Sequence, residues 1–440
     1  VSDSLEPSSH TSRLSDEQLV DWLTLIRSEN VGPRTFRALI NRYGGARAAL
    51  GALPELAARS VLQGRAIRIA DRDEVLREIE RSRALGVRFI ATSDPDYPPL
   101  LREIDNAPPL IAVRGDVALL RRACVAIVGS RNASAAGLAF AERLAHGLAR
   151  ENYVVVSGLA RGVDGAAHRA SLDTGTIAVL AGGHARPYPS EHASLLEQIS
   201  RIGVAVSEMP LEWEPRGRDF PRRNRIVSGL CAGTVVVEAT RRSGSLITAR
   251  FAAEQGREVF AAPGSPLDPR AEGTNDLLRQ GATFCTSAAD VIQSLASRTA
   301  GGPPRSDLFS EAEVYPEVDP LFDEMDLFSL QEPLAQSVSN FSLAGAALKS
   351  RPEPAPKLRT PTVAARTDAP APDSRKVVLS LLSPSPVAVD ELIRAAGLPA
   401  RDVHSALLEL DIEGRLERHG GNLVSSRMAA ASGPLDEAQF

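Results

Sequence analysis

The sequence predicts an α/β protein: a mainly parallel sheet with helices on both faces, an N-terminal helical domain and a C-terminal winged helix. Three observations predict it. Between residues 121 and 297, short apolar runs alternate with helical stretches. Those runs are continuous rather than alternating, as strands buried on both faces read. Residues 375–427 carry three helical segments followed by a hairpin with glycines at its turn. The 440 residues leave room for about three domains. A composition of 43% hydrophobic and 24% charged residues is that of a globular chain, not a disordered or fibrous one.

Residues 1–14 read as a disordered leader, polar and acidic, without the basic and apolar regions of a secretory signal. The helical domain, 15–62, opens at Ser15, an N-cap before Asp16 and Glu17. Leu19, Trp22, Leu23, Leu25 and Ile26 form its first apolar face. Val31-Gly32-Pro33-Arg34-Thr35 then feeds a helix from Phe36 to Tyr43, stopped by Gly44-Gly45. A glycine turn entering a helix resembles half of a helix-hairpin-helix module, and a plain helix-turn-helix scaffold fits it equally.

Residues 63–120 connect to the sheet domain through a helix (Arg72–Leu85), an extended piece (Val87–Ile90), a proline-directed path at Tyr97-Pro98-Pro99 and a strand (Leu110–Gly115). In 121–297 strands are expected at Val125–Val128, Tyr153–Val156, Thr176–Leu180, Gly203–Val206, Thr234–Val237, Glu258–Ala261 and Thr283–Cys285. Helices are expected at Ala135–Glu151, Val163–Leu172, Glu191–Ile202 and Leu246–Gln255. Residues 298–374 form a linker holding eleven of the 31 prolines. Within it, Asp307–Phe328 interleaves acidic and large apolar residues, as in segments that fold onto a partner; a solvated spacer is the plainer reading. The winged helix, 375–427, has helices at Arg375–Leu382, Val389–Ala396 and, after Pro399, Ala400–Glu413, then a hairpin from Arg415 to Val424. Residues 428–440 are a tail.

No apolar run is long enough for a transmembrane helix. Cys124, Cys231 and Cys285 are far apart with no CxxC pattern, which argues against disulfides and structural zinc and suits a reducing cytoplasm. The net charge of −5 is uneven. Residues 301–373 hold 6 basic against 12 acidic residues, whereas 121–296 hold 20 arginines against 17 acids. Of the 50 basic residues only three are lysine, a bias that a GC-rich genome explains and that also favours bidentate phosphate contacts.

Ligands of open parallel sheets bind outside the carboxyl ends of the strands. After the first strand of the domain comes Gly129-Ser130-Arg131-Asn132-Ala133-Ser134, an anion-type turn opening a helix. It is neither GxGxxG nor a Walker loop, and no acid follows the second strand to hold a ribose, so an NAD-type cofactor and ATP hydrolysis are disfavoured. The second strand instead leads to Ser157-Gly158-Leu159-Ala160-Arg161-Gly162, and the third to Gly182-Gly183 and Tyr188-Pro189. After the fourth, Arg216–Arg225 packs five arginines around Phe220, a pattern suited to phosphates and base faces of a single strand. A second loop, Ser243-Gly244-Ser245, has Thr248 in its first helical turn. Asp164 and His168, at i and i+4, could be an acid–base pair; with no nucleophile beside them, hydrogen bonds that hold the loop are the favoured reading. Glu238 is a candidate catalytic carboxylate or a structural partner for a neighbouring arginine. His184 and His192 lack metal-ligand spacing. No catalytic residue, cofactor or metal is assigned.

Together Val125–Arg131, Val155–His168, Thr176–Gly183, Ser207–Pro210, Phe220–Leu230, Val237–Ala249 and Glu258–Gly264 closely resemble the DprA/Smf family of DNA-processing proteins. The resemblance runs from about Trp22 to Asp290 and resumes in the C-terminal module. It implies an extended Rossmann-like sheet behind a helical domain of SAM or helix-hairpin-helix type. It also implies a non-catalytic, cytoplasmic mediator of natural transformation that binds single-stranded DNA, forms a homodimer and loads RecA, with single-stranded DNA-binding protein as a further partner. Carried over by position, Gly129, Ser130, Arg131, Ser157 and Gly158 hold phosphates. Arg218, Phe220, Arg222 and Arg225 line the groove, with Arg216 and Asn224 in the same segment. Arg161, Gly162, Ser243, Gly244, Ser245 and Thr248 complete the rim. The family often has lysine where this chain has Arg216 and Arg218, which keeps the charge and changes the contact geometry. The winged helix departs from a groove reader: residues 375–426 hold six basic against seven acidic residues, so protein contact or a weak DNA role is expected. The rival reading is a nucleotide N-glycosidase of the related lysine-decarboxylase-like group. Its PGGxGTxxE turn is replaced here by Glu238–Ser245.

Overall fold

A computed structural model describes residues 13–61, 68–299, 373–413, 415–419 and 422–426. The leader through Ser12, the linker from 300 to 372 with its Asp307–Phe328 stretch, the Gly420-Gly421 turn and the tail lie outside the described residues. Ser15 caps α1 (Asp16–Arg27) through a reciprocal capping box with Gln18. Arg13 and Leu14, assigned above to the leader, belong to the fold: Arg13 pairs with Asp96 at 2.7 Å, and Leu14 packs on the cluster of Val20, Leu23 and Val75. α2 (Pro33–Tyr43) starts at Pro33 rather than Phe36, because proline suits the first helical position, and it stops at Gly44 in the left-handed region. α3 (Ala46–Val61) and α4 (Arg72–Ala84) complete the helical domain, whose core sets Trp22 tilted on Phe36 at 4.9 Å.

Nine strands form one sheet. In chain order the sheet part holds β1 (Arg88–Ala91), α5 (Pro99–Glu103), β2 (Leu110–Gly115), β3 (Cys124–Val128), α6 (Ala135–Arg150), β4 (Val154–Ser157), α7 (Val163–Ala170), β5 (Thr176–Val179), α8 (Ala193–Ile202), β6 (Val204–Ser207), α9 (Asp219–Gly229), β7 (Gly233–Val236), α10 (Gly244–Glu254), β8 (Glu258–Ala261), α11 (Glu272–Arg279), β9 (Thr283–Phe284) and α12 (Ala288–Thr299). The spatial order is β1-β2-β6-β5-β4-β3-β7-β8-β9. The strands from β3 to β9 run parallel, and β2 and β1 extend the β6 edge antiparallel. Alternation explains the continuous apolar runs. In β3, Val125 and Ile127 face α6, α7 and α12, whereas Ala126 and Val128 face the core beneath α9 and α10. With both faces covered, every position is apolar. All three cysteines are free and buried. No helix among the described residues is long and apolar enough to cross a membrane.

The C-terminal module has α13 (Ser374–Leu381), β10 (Val387–Ala388), α14 (Val389–Ala396), α15 (Ala400–Ile412), β11 (Leu416–His419) and β12 (Leu423–Ser426), with its sheet ordered β10-β12-β11. It is docked on the sheet domain. Ala135, Ala136 and Leu138 at the start of α6 pack into its core cluster. Arg270 donates to Ser380 O at 3.1 Å and Leu382 O at 2.5 Å, satisfying carbonyls at the end of α13. The third helix exposes Leu408 and Ile412 beside Glu409, with Arg401 in its first turn as its one arginine.

Candidate nucleic-acid interface

The strand order reverses between β3 and β7, so the loops after these two strands border the crevice where such sheets take ligands. Glu238 occupies its floor. Ser134 caps α6 by accepting from Gly137 N. Its own N–H and hydroxyl donate to the two oxygens of Glu238, at 2.9 and 2.5 Å. A side chain at Gly137 would meet the Glu238 carboxyl at 2.5 Å, which is why the helix needs glycine there. An internal carboxylate therefore takes the Ser134 N–H at the entry to the first helix, and Gly137 N is taken by the Ser134 hydroxyl. Burial raises the Glu238 carboxyl above its ordinary range, and the Ser134 hydrogen bonds partly offset this. Its hydrogen-bond partner is the helix start, and the charge of the neighbouring Arg270 also favours the ionised carboxyl.

The second loop region is held from inside. Ser157 is fully buried and donates to Ile127 O at 2.6 Å. Gly158 N and Ala160 N donate to Asp164, at 3.0 and 3.3 Å. Arg223, buried and absent from the sequence assignment, donates to Gly158 O and Val179 O. Burial lowers its pKa to about 10 against the opposing pull of Asp164, while burial raises that of Asp164. Asp164 thus organises the loop, as favoured above, and His168 turns elsewhere, to Thr176 Oγ1 at 2.9 Å. Gly162, at φ 70°, lies against Ser130 O, where an added Cβ would come within 2.2 Å. His184 and His192 bond the carbonyls of Ala112 and Leu159.

The outer rim differs. Arg131 is exposed and lies over the Phe220 ring, 5.0 Å from its centroid. Tyr188, 49% exposed, meets the same ring edge-on at 5.2 Å. Arg216 lies over Trp213 at 5.0 Å. Neither Arg131 nor Arg216 has a carboxylate partner among the described residues. Arg161 is exposed and held bidentately by Glu191 at 2.7 and 2.8 Å. Arg222 pairs with Glu208 at 3.0 Å. Arg225, placed in the groove by the sequence reading, is 1% exposed and pairs with the same Glu208 at 2.5 Å. Helical periodicity explains the split: on α9, Arg225 turns to the core while Phe220 and Arg222 stay at the edge. Arg218 precedes α9 and is exposed. Asn224 bridges to Gly244 O at 3.2 Å, tying α9 to the second loop. There Ser243 caps α10 by accepting from Ser245 N, while Ser245 and Thr248 are buried. The structure therefore gathers Ser130, Arg131, Arg161, Arg216, Arg218, Phe220 and Arg222 around one edge. It places Ser157, Arg225, Ser245 and Thr248 beneath it. Trp213 was missed and Tyr188, noted after the third strand, was given no role, although three aromatics near arginines are conspicuous in a chain with 4% aromatic residues.

The buried histidines give a pH prediction. Burial lowers His168 and His184 from 6.5 to about 3 and about 4. Between pH 6.5 and about 4 the unfolded chain therefore binds protons that the folded chain does not. Stability is full above that window and falls as pH drops through it, by at most about 1.4 kcal/mol per pH unit per histidine. Urea titrations across the window are expected to show this slope, reduced in His168→Gln. A flat profile would contradict it.

Comparison with known proteins agrees with this architecture. The family described as DNA recombination-mediator protein A matches residues 88–296. A DprA-like N-terminal HHH domain matches 16–80, and a DprA winged helix domain matches 362–422. The chain is 42% identical to the DNA processing protein DprA of Bacillus subtilis over 219 residues, 49% of this chain and 74% of that one. It is 45% identical to the Protein Smf of Escherichia coli over 202 residues, spanning about half (54%) of that relative. The X-ray structure of DNA processing protein A from Streptococcus pneumoniae superposes with a TM-score of 0.53 at 30% identity, covering 64% of this chain and 98% of that one.

Proposed function

Because the chain belongs to the DprA/Smf family of DNA-processing proteins, we propose that its arginine-and-aromatic rim binds single-stranded DNA, as a mediator that protects incoming DNA and loads RecA during natural transformation. One observation carries the reading: Arg131, without a carboxylate partner among the described residues, lies on Phe220 with Tyr188 at the ring edge. A guanidinium held on a ring stays available to a phosphate, and the ring stays close to the base that follows it. Ring faces can be used only by unstacked bases, so single strands bind in preference to duplex. RecA loading and a homodimer rest on family membership. The test is a gel-shift titration of single against double strands, with and without RecA. Preference for single strands and a ternary species with RecA are expected, and equal binding of duplex would overturn the strand assignment.

The N-glycosidase reading has one observation in its favour, a partly buried carboxylate of raised pKa at the switch point. Both its oxygens are engaged by Ser134. Incubation with AMP is expected to release no free base.

A further inference from the structure

The loop from Leu211 to Arg218 is built as firmly as the Phe220 station. Gly183 N donates to Trp213 O at 2.9 Å, and Ala185 N donates to Leu211 O at 3.0 Å. Gly182 leaves room for Pro215, whose ring a Cβ there would meet at 2.8 Å. Asp219, 2% exposed, accepts from the Trp213 indole N–H and from Arg216 N, both at 2.8 Å. The residue that orients Trp213 is thus the chain neighbour of Phe220, and both rings stand on the same edge. Trp213 is only partly buried, and what covers it is a mobile type of group, the Arg216 guanidinium.

The repeat of one arrangement is informative. Of the arginines assigned to the rim, Arg131 and Arg216 both lie on an aromatic ring and both lack a carboxylate partner among the described residues. A surface that only needed solubility would pair such charges with the acids nearby, as Arg161 pairs with Glu191. We propose that Trp213 is a second nucleobase-stacking station, with Arg216 as its phosphate contact, separate from the Arg131–Phe220 station. The proposal rests on the single-strand reading of the rim. On binding, the base takes the indole face and Arg216 swings to the phosphate. Because every base has a π face, the station carries no sequence preference.

The chain has two tryptophans, and the other, Trp22, is packed on Phe36 in the helical domain. The test uses the full chain and an oligothymidylate carrying a terminal dye, read by dye anisotropy and by tryptophan fluorescence in parallel. Quenching of tryptophan emission over the same concentration range as binding is expected, and it should vanish in Trp213→Phe. Trp213→Ala should weaken binding at least about fivefold, with Trp213→Phe restoring most of it. Should Trp213→Ala fold poorly, Arg216→Gln replaces it, with a smaller salt dependence expected. Wild-type binding without quenching, or unchanged affinity in Trp213→Ala and Arg216→Gln, overturns the second station and leaves the single-strand reading standing. No binding by the wild-type chain overturns both.

Discussion

Phe220→Ala is expected to weaken single-strand binding by about 1–3 kcal/mol, roughly 5- to 150-fold, with little change in folding stability. The ring is partly exposed at the start of α9, so its removal opens no large internal cavity. What is lost is a platform that touches Arg131 on one side and Tyr188 on another. Arg131 then loses the surface that orients it, so Phe220→Ala and Arg131→Ala should be non-additive when combined. Phe220→Tyr, which keeps a ring, should retain most of the affinity. Equal affinities of Phe220→Ala and wild type for oligothymidylate, measured by anisotropy, would remove the ring from the interface.

Glu208→Ala should have the largest effect on the fold. Its carboxylate is 6% exposed and holds Arg225, a fully buried side chain, together with Arg222. Burial lowers the Arg225 pKa and Glu208 opposes that shift, so removing the acid leaves a cation in the core without its main counter-charge. Breaking such a pair typically costs about 3–5 kcal/mol, a large part of the about 5–15 kcal/mol that stabilises a domain. The Glu208 backbone carbonyl also accepts from Arg27 at 3.2 Å, and Arg27 pairs with Glu78, so the helical domain shares this support. Urea unfolding followed by circular dichroism checks it. A midpoint equal to wild type would show that Arg225 finds another partner.

The sheet was readable because burial on both faces leaves a plain trace: Val125–Val128, Val154–Val156 and Val259–Ala261 are uninterrupted apolar runs. The antiparallel β1 and β2 were seen as extended segments, but nothing local says that β2 pairs with β6 rather than with β3. The rim was legible as a charge cluster and not as a geometry. Arg222, Arg223 and Arg225 look alike in a sequence, and their fates depend on Glu208, just after β6, and Asp164, in the first turn of α7. Glu238 shows the same limit. Its role depends on Ser134, more than a hundred residues away along the chain, brought close by the β3–β7 pairing. Trp213 and Tyr188 needed the loops placed before either could be seen to stand beside an arginine or Phe220.

The central claim is that guanidinium groups on this edge, Arg131 first among them, meet the phosphates of a flexible strand. It is tested most directly by the salt dependence of oligothymidylate affinity in wild type and Arg131→Ala. Loss of one phosphate contact should reduce the slope of log Kd against log salt by about 0.7, alongside weaker binding to every sequence tried. An unchanged slope with unchanged affinity would place the strand elsewhere on the molecule.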